Sequence, residues 1–346
     1  MTGGTMKKFL TSAIVAGAAL AIGATAASAQ SAQNFYKGKT VEIYIGYGLG
    51  GTYGKSATIM GEHLRPRIGA DSVIVKSMPG AGGLKMTNYY ANVAKRDGTA
   101  IILPPDTLAI TQMLKPKKAK YDSRDFRWLG AAVRSNSLSA VRADSGVKSW
   151  QDLKSKAVPF ACSGLGSQTC QVPALINGLL GTKIKIVRGY KGSKKMLLAM
   201  EQGEAAGINL TWLAFKTNRQ AWFKDGFAVP VMQMGPTPDP ELKGVPNLKD
   251  LVAAKDKPIV NFMSSLIAIG RSLAVHKDVP KDRTAFLKSA FVEMAKDPAF
   301  VADMKKRKLQ VTYTSAEDIH KTVDDSVGMS ADIIKRTNQI LFGSAS

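Results

Sequence analysis

Five glycines fall within nine residues of this chain, at Gly46, Gly48, Gly50, Gly51 and Gly54, and Lys55-Ser56 follow directly. Glycine lets a backbone turn without Cβ clashes and lets a ligand come close to the main chain. A turn that ends where a helix begins leaves N–H groups unpaired, and the helix dipole adds positive potential there. Residues of this type at this spacing support the binding of an anion. The elements that would position the turn are legible on both sides. Val41-Glu42-Ile43-Tyr44-Ile45 is β-branched and aromatic enough for a strand. Tyr53, Ala57, Met60 and Leu64 share one helical face, and Thr52 is a candidate N-cap.

Two nucleotide-binding patterns come close to this turn. Gly46, Gly48 and Gly51 satisfy the G-x-G-x-x-G spacing of dinucleotide folds. That fold also wants an acid at the end of the next strand to hold the ribose. Here the next strand candidate, Val73-Ile74-Val75, runs into Lys76-Ser77. Gly54-Lys55-Ser56 resembles the tail of a phosphate-binding loop, but Leu49 stands where its first glycine belongs. A nucleotide-dependent oxidoreductase is therefore the weaker alternative, and no cofactor is expected.

The β-turn-α grammar repeats. Met78-Pro79-Gly80-Ala81-Gly82-Gly83 feeds a helix through Tyr89, Tyr90 and Val93. Thr99 to Leu103 is a strand that ends at Pro104-Pro105-Asp106-Thr107, with a helix through Leu108, Met113 and Leu114. Such repeats argue for a parallel sheet with right-handed crossovers, whose ligands sit beyond the carboxyl ends of the strands. All three turns belong at that edge.

Near Trp128 to Val133 the chain is read as crossing into a second unit with the same grammar. Val158 to Cys162 leads to Ser163-Gly164-Leu165-Gly166-Ser167-Gln168-Thr169 and a helix closed by Gly181. Pro173 is expected in that helix's first turn, close to Ser167. Ile184 to Val187 leads to Gly189-Tyr190-Lys191-Gly192-Ser193 and another helix. Gly207 to Leu210 is a short strand before a helix from Trp212 to Arg219, and Val229 to Gln233 is one more strand. A strand over Phe262–Ile269 is expected to lead back to the first unit. Helices are expected over Lys281–Lys296, Ala299–Lys308 and Ser315–Asn338, the last opened by the capping-box match Ser315 to Asp318. One unit interrupted by another, joined by two crossovers, forms a cleft that can close by hinge motion.

Composition bounds the compartment. The chain has 346 residues, 45% hydrophobic and 21% charged, as globular proteins do. Lys7 and Lys8, an apolar run from Phe9 to about Ala24, and Ala27-Ser28-Ala29 read as a secretory signal peptide cut after Ala29. The mature protein is expected to be soluble and exported to the periplasm. Lys and Arg number 48 against 26 acids. Export argues against nucleic acid, and no aromatic residues interleave the basic runs as a base-stacking platform would require. What remains is a general attraction for anions. Cys162 and Cys170 lie close together; a disulfide is one reading and two free thiols the other, with an oxidising compartment favouring the first. Neither cysteine has a metal-ligand pattern around it, and no metal is expected. His63, His276 and His320 are scattered, and none sits in a glycine turn, so no Ser-His-Asp arrangement is suggested.

The ordered set of motifs resembles a known family: the periplasmic substrate-binding receptors of tripartite tricarboxylate transporters, the TctC or Bug receptors. The resemblance is carried by Ile45 to Thr52, Met78 to Gly83, Asp97-Gly98 and Ser163 to Ser167. It continues through Tyr190 to Ser193, Gly244-Val245-Pro246-Asn247-Leu248 and Lys296 to Phe300, across nearly the whole mature chain. It implies an α/β fold of the type II periplasmic binding proteins, two α/β lobes with a ligand cleft between them. The lobes would comprise residues 30–132 with 262–346, and 133–261, after a signal peptide at 1–29. It implies no enzyme but a monomeric solute receptor for a small organic acid, delivering it to the membrane components of such a transporter. A receptor signalling to a membrane kinase is the alternative within the same fold.

Carried over by position, the resemblance gives ligand-binding roles to Tyr47, Gly48, Gly50, Gly51 and Thr52 of the first turn. The second lobe gives Ser163, Gly166, Ser167 and Gln168, and then Tyr190 and Ser193. Asp106 or Thr107 would line the floor, and Asn209 would complete the ligand-binding set. The chain departs from the family where Tyr53 and Gly54 replace a common acid, where Asn209 only partly matches a common Asp, and in its paired cysteines.

Overall fold

A computed structural model of the chain describes residues 32–265, 267 and 269–343. The signal peptide and its cleavage after Ala29 lie outside them. The elements up to the first crossover are β1 Thr40–Ile45, α1 Thr52–Ile68, β2 Ser72–Ser77, α2 Leu84–Asn92, β3 Ala100–Leu103, α3 Leu108–Leu114 and β4 Phe126–Ala131. The second sheet is built from β5 Ser137–Arg142, β6 Pro159–Cys162, α4 Gln168–Leu180, β7 Lys185–Arg188, α5 Ser193–Glu201, β8 Gly207–Thr211, α6 Trp212–Arg219 and β9 Ala228–Met234. The return runs through α7 Lys257–Ser265, β10 Ser272–His276, α8 Lys281–Lys296, α9 Pro298–Lys306, α10 Ala316–Val327 and α11 Ala331–Phe342.

The molecule has two α/β lobes. One sheet has the order β2-β1-β3-β10-β4 and the other β7-β6-β8-β5-β9. In each, a parallel trio is followed by a single antiparallel strand, β10 or β5. The antiparallel strand is in both cases the first one laid down after the chain crosses over. Central strands β3, β8 and β10 are buried along their whole length, as expected for strands covered by helices on both faces. The two crossovers pair with each other: the Arg271 N–H donates to the Val133 carbonyl (2.9 Å) and the Ala132 N–H to the Arg271 carbonyl (3.1 Å).

Four sequence expectations need correcting. The returning strand is not at Phe262–Ile269; helix α7 covers its first part and the strand is β10, ten residues later. An apolar run that short fits either element, and here Ile259, Val260, Phe262 and Met263 bury one helical face. The expected helix over Ser315–Asn338 is two helices, interrupted at Gly328 to Ser330, where Ser330 caps the second. Thr52 is the first residue of α1 rather than its cap; Gly51 holds that place without a side-chain bond. Pro173 lies in the second turn of α4, although the helix does begin beside Ser167. The last helix, α11, packs on α4 of the other lobe; a Cβ on Gly178 would lie 2.5 Å from Ile340.

Candidate functional site

A cavity of about 40 Å³ lies between the lobes at the carboxyl ends of the parallel strands. Four helices begin at its wall, α1 after Gly51, α4 after Ser167, α5 after Gly192 and α6 after Thr211. The Ser167 hydroxyl accepts from the Thr169 N–H and the Thr211 hydroxyl from the Ala214 N–H, so α4 and α6 are capped by side chains. The glycines ahead of α1 and α5 supply no such cap. Four positive helix ends around one chamber make it a favourable place for negative charge.

Arg271 supplies a full positive charge at the same wall, only 3% exposed. Its guanidinium lies 3.9 Å above the Tyr53 ring, within cation–π range. Its bonds are long: 3.4 Å to the Thr52 hydroxyl, 3.4 Å to the Gly270 carbonyl, and 3.9 Å from Nη1 to Asp106 Oδ2. Its Nε is buried and has no hydrogen-bond partner among the described residues. A buried guanidinium with five donors and so few short bonds has capacity for an incoming anion.

Asp106 is the acidic group of the cavity, 6% exposed. Burial pushes its carboxyl above the usual range and the Arg271 charge pulls it partly back, while the Asp106 N–H donates to the Tyr53 hydroxyl (3.0 Å). Tyr47 and Tyr53 stack with centroids 4.4 Å apart, and burial raises both phenols, which stay protonated as donors. Met196, Leu210 and Ala214 form the apolar part of the lining.

Of the residues singled out from sequence, Tyr47, Gly51, Thr52 and Asp106 line the cavity from the first lobe. Ser163, Ser167, Gln168 and Ser193 line it from the second. The others lie elsewhere. The Gly48 N–H donates to the Lys191 carbonyl (3.2 Å) and Thr107 Oγ1 to the Gly166 carbonyl (2.5 Å), so these residues hold the lobes together. Gly50 faces the Lys194 side chain. Tyr190 lines a neighbouring cavity of about 190 Å³ that shares Tyr47 and Ser163 with the first. Asn209 is buried in its sheet, where it accepts hydrogen bonds from Ser137 and Ser139.

The lobes are closed on each other. The Thr52 N–H donates to Ser193 Oγ (3.3 Å), and a Cβ on Gly82 would sit 2.5 Å from the Ser167 nitrogen. Glycine at position 82, whose φ is +71°, is what allows this backbone-to-backbone approach. Cys162 and Cys170 are disulfide-bonded, tying the end of β6 to the first turn of α4 and bracketing the Ser163–Thr169 loop. On α1, burial and the neighbouring charges of Lys194 and Arg219 lower the Lys55 pKa.

Sequence reading missed Tyr53 and Arg271 as site residues. In the sequence Tyr53 reads as a helix-face residue and as a departure from the family's common acid. Arg271 stands immediately before β10, and with the strand misplaced nothing marked it as reaching a strand edge. A lone arginine between Gly270 and an apolar strand was the available signal.

No family model matches the chain, and neither does any curated protein sequence. Solved structures do match. The periplasmic binding protein BugD aligns with a TM-score of 0.69 at 19% identity, covering 86% of this chain and 97% of its own. An R. palustris protein solved with adipate gives 0.68 at 20% identity, with 86% and 97% covered. MatC from Rhodopseudomonas palustris, solved with bound malate, gives 0.67 at 18% identity, with 87% and 98% covered. At these identities the likeness shows the fold: this chain folds as the Bug and TctC-type periplasmic binding proteins do.

Proposed function

We propose that the protein is an extracytoplasmic solute receptor that binds a small organic acid as its carboxylate in the interlobe cavity. The observation that carries this reading is the convergence of four helix N-termini with a buried, under-bonded arginine on one interlobe chamber. A carboxylate there would accept hydrogen bonds from both lobes at once, and so would favour the closed form over the open one. The adipate and malate in two structures of the same fold are in keeping with a carboxylate ligand.

Binding without chemistry is the reading we adopt. Ser163, Ser167 and Ser193 supply hydroxyls, but among the described residues no histidine lines the cavity to activate one as a nucleophile. Among the described residues no helix is long and apolar enough to cross a membrane. We assign the chain to the periplasm on the signal-peptide pattern and the fold, as a monomer that hands its ligand to the membrane components of a tripartite tricarboxylate-type transporter. Residues 30–132 with 262–346 would form one lobe and 133–261 the other, a division supported by the membership of the two sheets.

The test is a thermal-shift and calorimetric screen of mono-, di- and tricarboxylates and aromatic acids on protein unfolded and refolded to strip bound ligand. A ligand at 100 times its Kd stabilises the native state by about 2.7 kcal/mol, a readily measured rise in Tm. Absence of any shift across the panel would overturn the reading.

A further inference from the structure

We propose that the cleft is built for a short carboxylic acid with a hydrogen-bond donor on the carbon beside its carboxylate. Such a ligand is a 2-hydroxy or 2-amino acid; Arg271 would hold the carboxylate and Asp106 would take the donor. The inference rests on the receptor reading and narrows it to one ligand chemistry.

Two adjacent side chains of opposite character carry the argument. Arg271 offers donors only, and its Nε has no partner while its other bonds run to 3.4 Å or more. Asp106 Oδ2 lies 3.9 Å from Arg271 Nη1 and faces the same chamber. An ionised carboxylate has about four acceptor positions. The Asp106 N–H donates to the Tyr53 hydroxyl (3.0 Å), and with the Arg271 guanidinium 3.9 Å away its carboxylate keeps acceptor capacity for the ligand. A carboxylate on the guanidinium thus places its neighbouring substituent against an acceptor.

The competing ligand shapes fit less well. A simple monoacid satisfies Arg271 but offers no donor to the buried Asp106 carboxylate. A short diacid brings a second carboxylate toward Asp106, and like charges at that range repel. The chamber of about 40 Å³ favours a small molecule, and Met196, Leu210 and Ala214 would receive a short apolar tail.

Arg271 also has a place where the lobes join, since its backbone makes two hydrogen bonds between the two crossovers. Filling its side-chain fork therefore acts on the segment about which the lobes would turn.

Calorimetry on ligand-stripped wild-type protein tests this with matched acids of two to six carbons. Each 2-hydroxy and 2-amino acid, 2-hydroxypropanoate and 2-aminopropanoate among them, is compared with the acid lacking the substituent and with the diacid. At least one donor-bearing acid should bind about 10-fold or more tightly than its unsubstituted partner, the scale of one hydrogen bond to a charged group. Preference for the hydroxyl or for the ammonium identifies the donor, and either supports the proposal. Asp106→Asn should compress that ratio to about threefold or less, since a neutral acceptor bonds more weakly. Arg271→Gln should weaken every acid by about 100-fold, with Arg271→Lys recovering part of the loss by restoring charge without the fork.

Equal affinity within all the pairs, tightest binding of a diacid, an undiminished ratio in Asp106→Asn, or full affinity in Arg271→Gln would overturn the inference. The receptor reading would stand in each of those cases. Failure of every acid to bind would overturn the receptor reading itself. The wild-type comparison needs no variant, so a poorly folding substitution does not blunt the test.

Discussion

The two lobes present the same strand order to the cleft and opposite chemistry. The residue immediately before the antiparallel strand is Arg271 in the first lobe and Asn136 in the second. Asn136 is satisfied: its Nδ2 donates to Gln233 Oε1 (3.1 Å) and to the Thr237 carbonyl (2.8 Å). Arg271 is buried as deeply and has far less than its donor capacity filled. Equivalent positions on one topology thus separate a satisfied polar residue from an under-bonded one, and the difference lies in unspent hydrogen-bonding capacity. The rest of the wall follows the same division. The first lobe brings charge and aromatic rings, whereas the second brings hydroxyls, three helix starts and the apolar patch. Neither wall alone would hold a carboxylate from both sides.

The largest expected effect removes the second wall. Ser167→Leu puts a bulky side chain into a chamber of about 40 Å³, at a residue only 2% exposed. Acid binding should fall by more than about 100-fold in calorimetry, while the lost N-cap costs the fold about 1 kcal/mol. Unaltered affinity would mean that the first lobe binds the ligand unaided and that the division of labour is false.

The next effect falls on the loop that carries those hydroxyls. Replacing both Cys162 and Cys170 by Ser releases a loop closed over a sequence separation of 8. Loop-closure entropy of that size is worth about 2–3 kcal/mol, read from denaturant melts. Binding should weaken as well, since Ser163 and Ser167 lie inside the released loop. A loss of stability with affinity intact would show that the loop needs no covalent bracing to present its hydroxyls.

A smaller effect concerns closure itself. Thr107→Val deletes the hydroxyl that donates to the Gly166 carbonyl across the cleft. That is about 1 kcal/mol from the closed form, a few-fold in affinity, with a larger radius of gyration in X-ray scattering of the ligand-free protein. An unchanged radius and affinity would remove this bond from the account of closure.

Much of this architecture was legible in the sequence because glycine turns at strand ends carry strong local signals. The turns at Gly46–Thr52 and Ser163–Thr169 fall where strand and helix periodicity place them, and Ser167 caps its helix. What was not legible depends on contacts distant in the chain. Gly48 and Gly166 read as ligand groups, yet closure pairs them with Lys191 and Thr107. Asn209 reads as a cleft residue, but Ser137 and Ser139 on the neighbouring strand claim it. Arg271 was hidden because its strand follows an apolar helix that mimics a strand, and its role appears only where Thr52, Tyr53 and Asp106 surround it.

The smallest expected effect probes the charge balance of the first wall. Burial raises the Asp106 carboxyl above its usual range, and Arg271 only partly offsets this. A carboxyl raised on folding makes the folded state bind a proton more tightly than the unfolded chain. Its contribution to stability therefore falls as pH rises from the ordinary value near 3.9 to the raised one, and is flat above it. Asp106→Asn lacks this titration, so the stability of wild type relative to the variant should decline with pH across that window. Urea midpoints of both proteins, without ligand, at steps between about pH 4 and pH 7 would show it. The groups facing Asp106 are Tyr53, Tyr47 and Arg271; burial raises both phenols, which stay neutral in that range. A relative stability that rises with pH would mean that Arg271 grips Asp106 tightly enough to hold the carboxyl down. The arginine would then be as fully engaged as Asn136 is in the other lobe, and the contrast between the two positions would disappear.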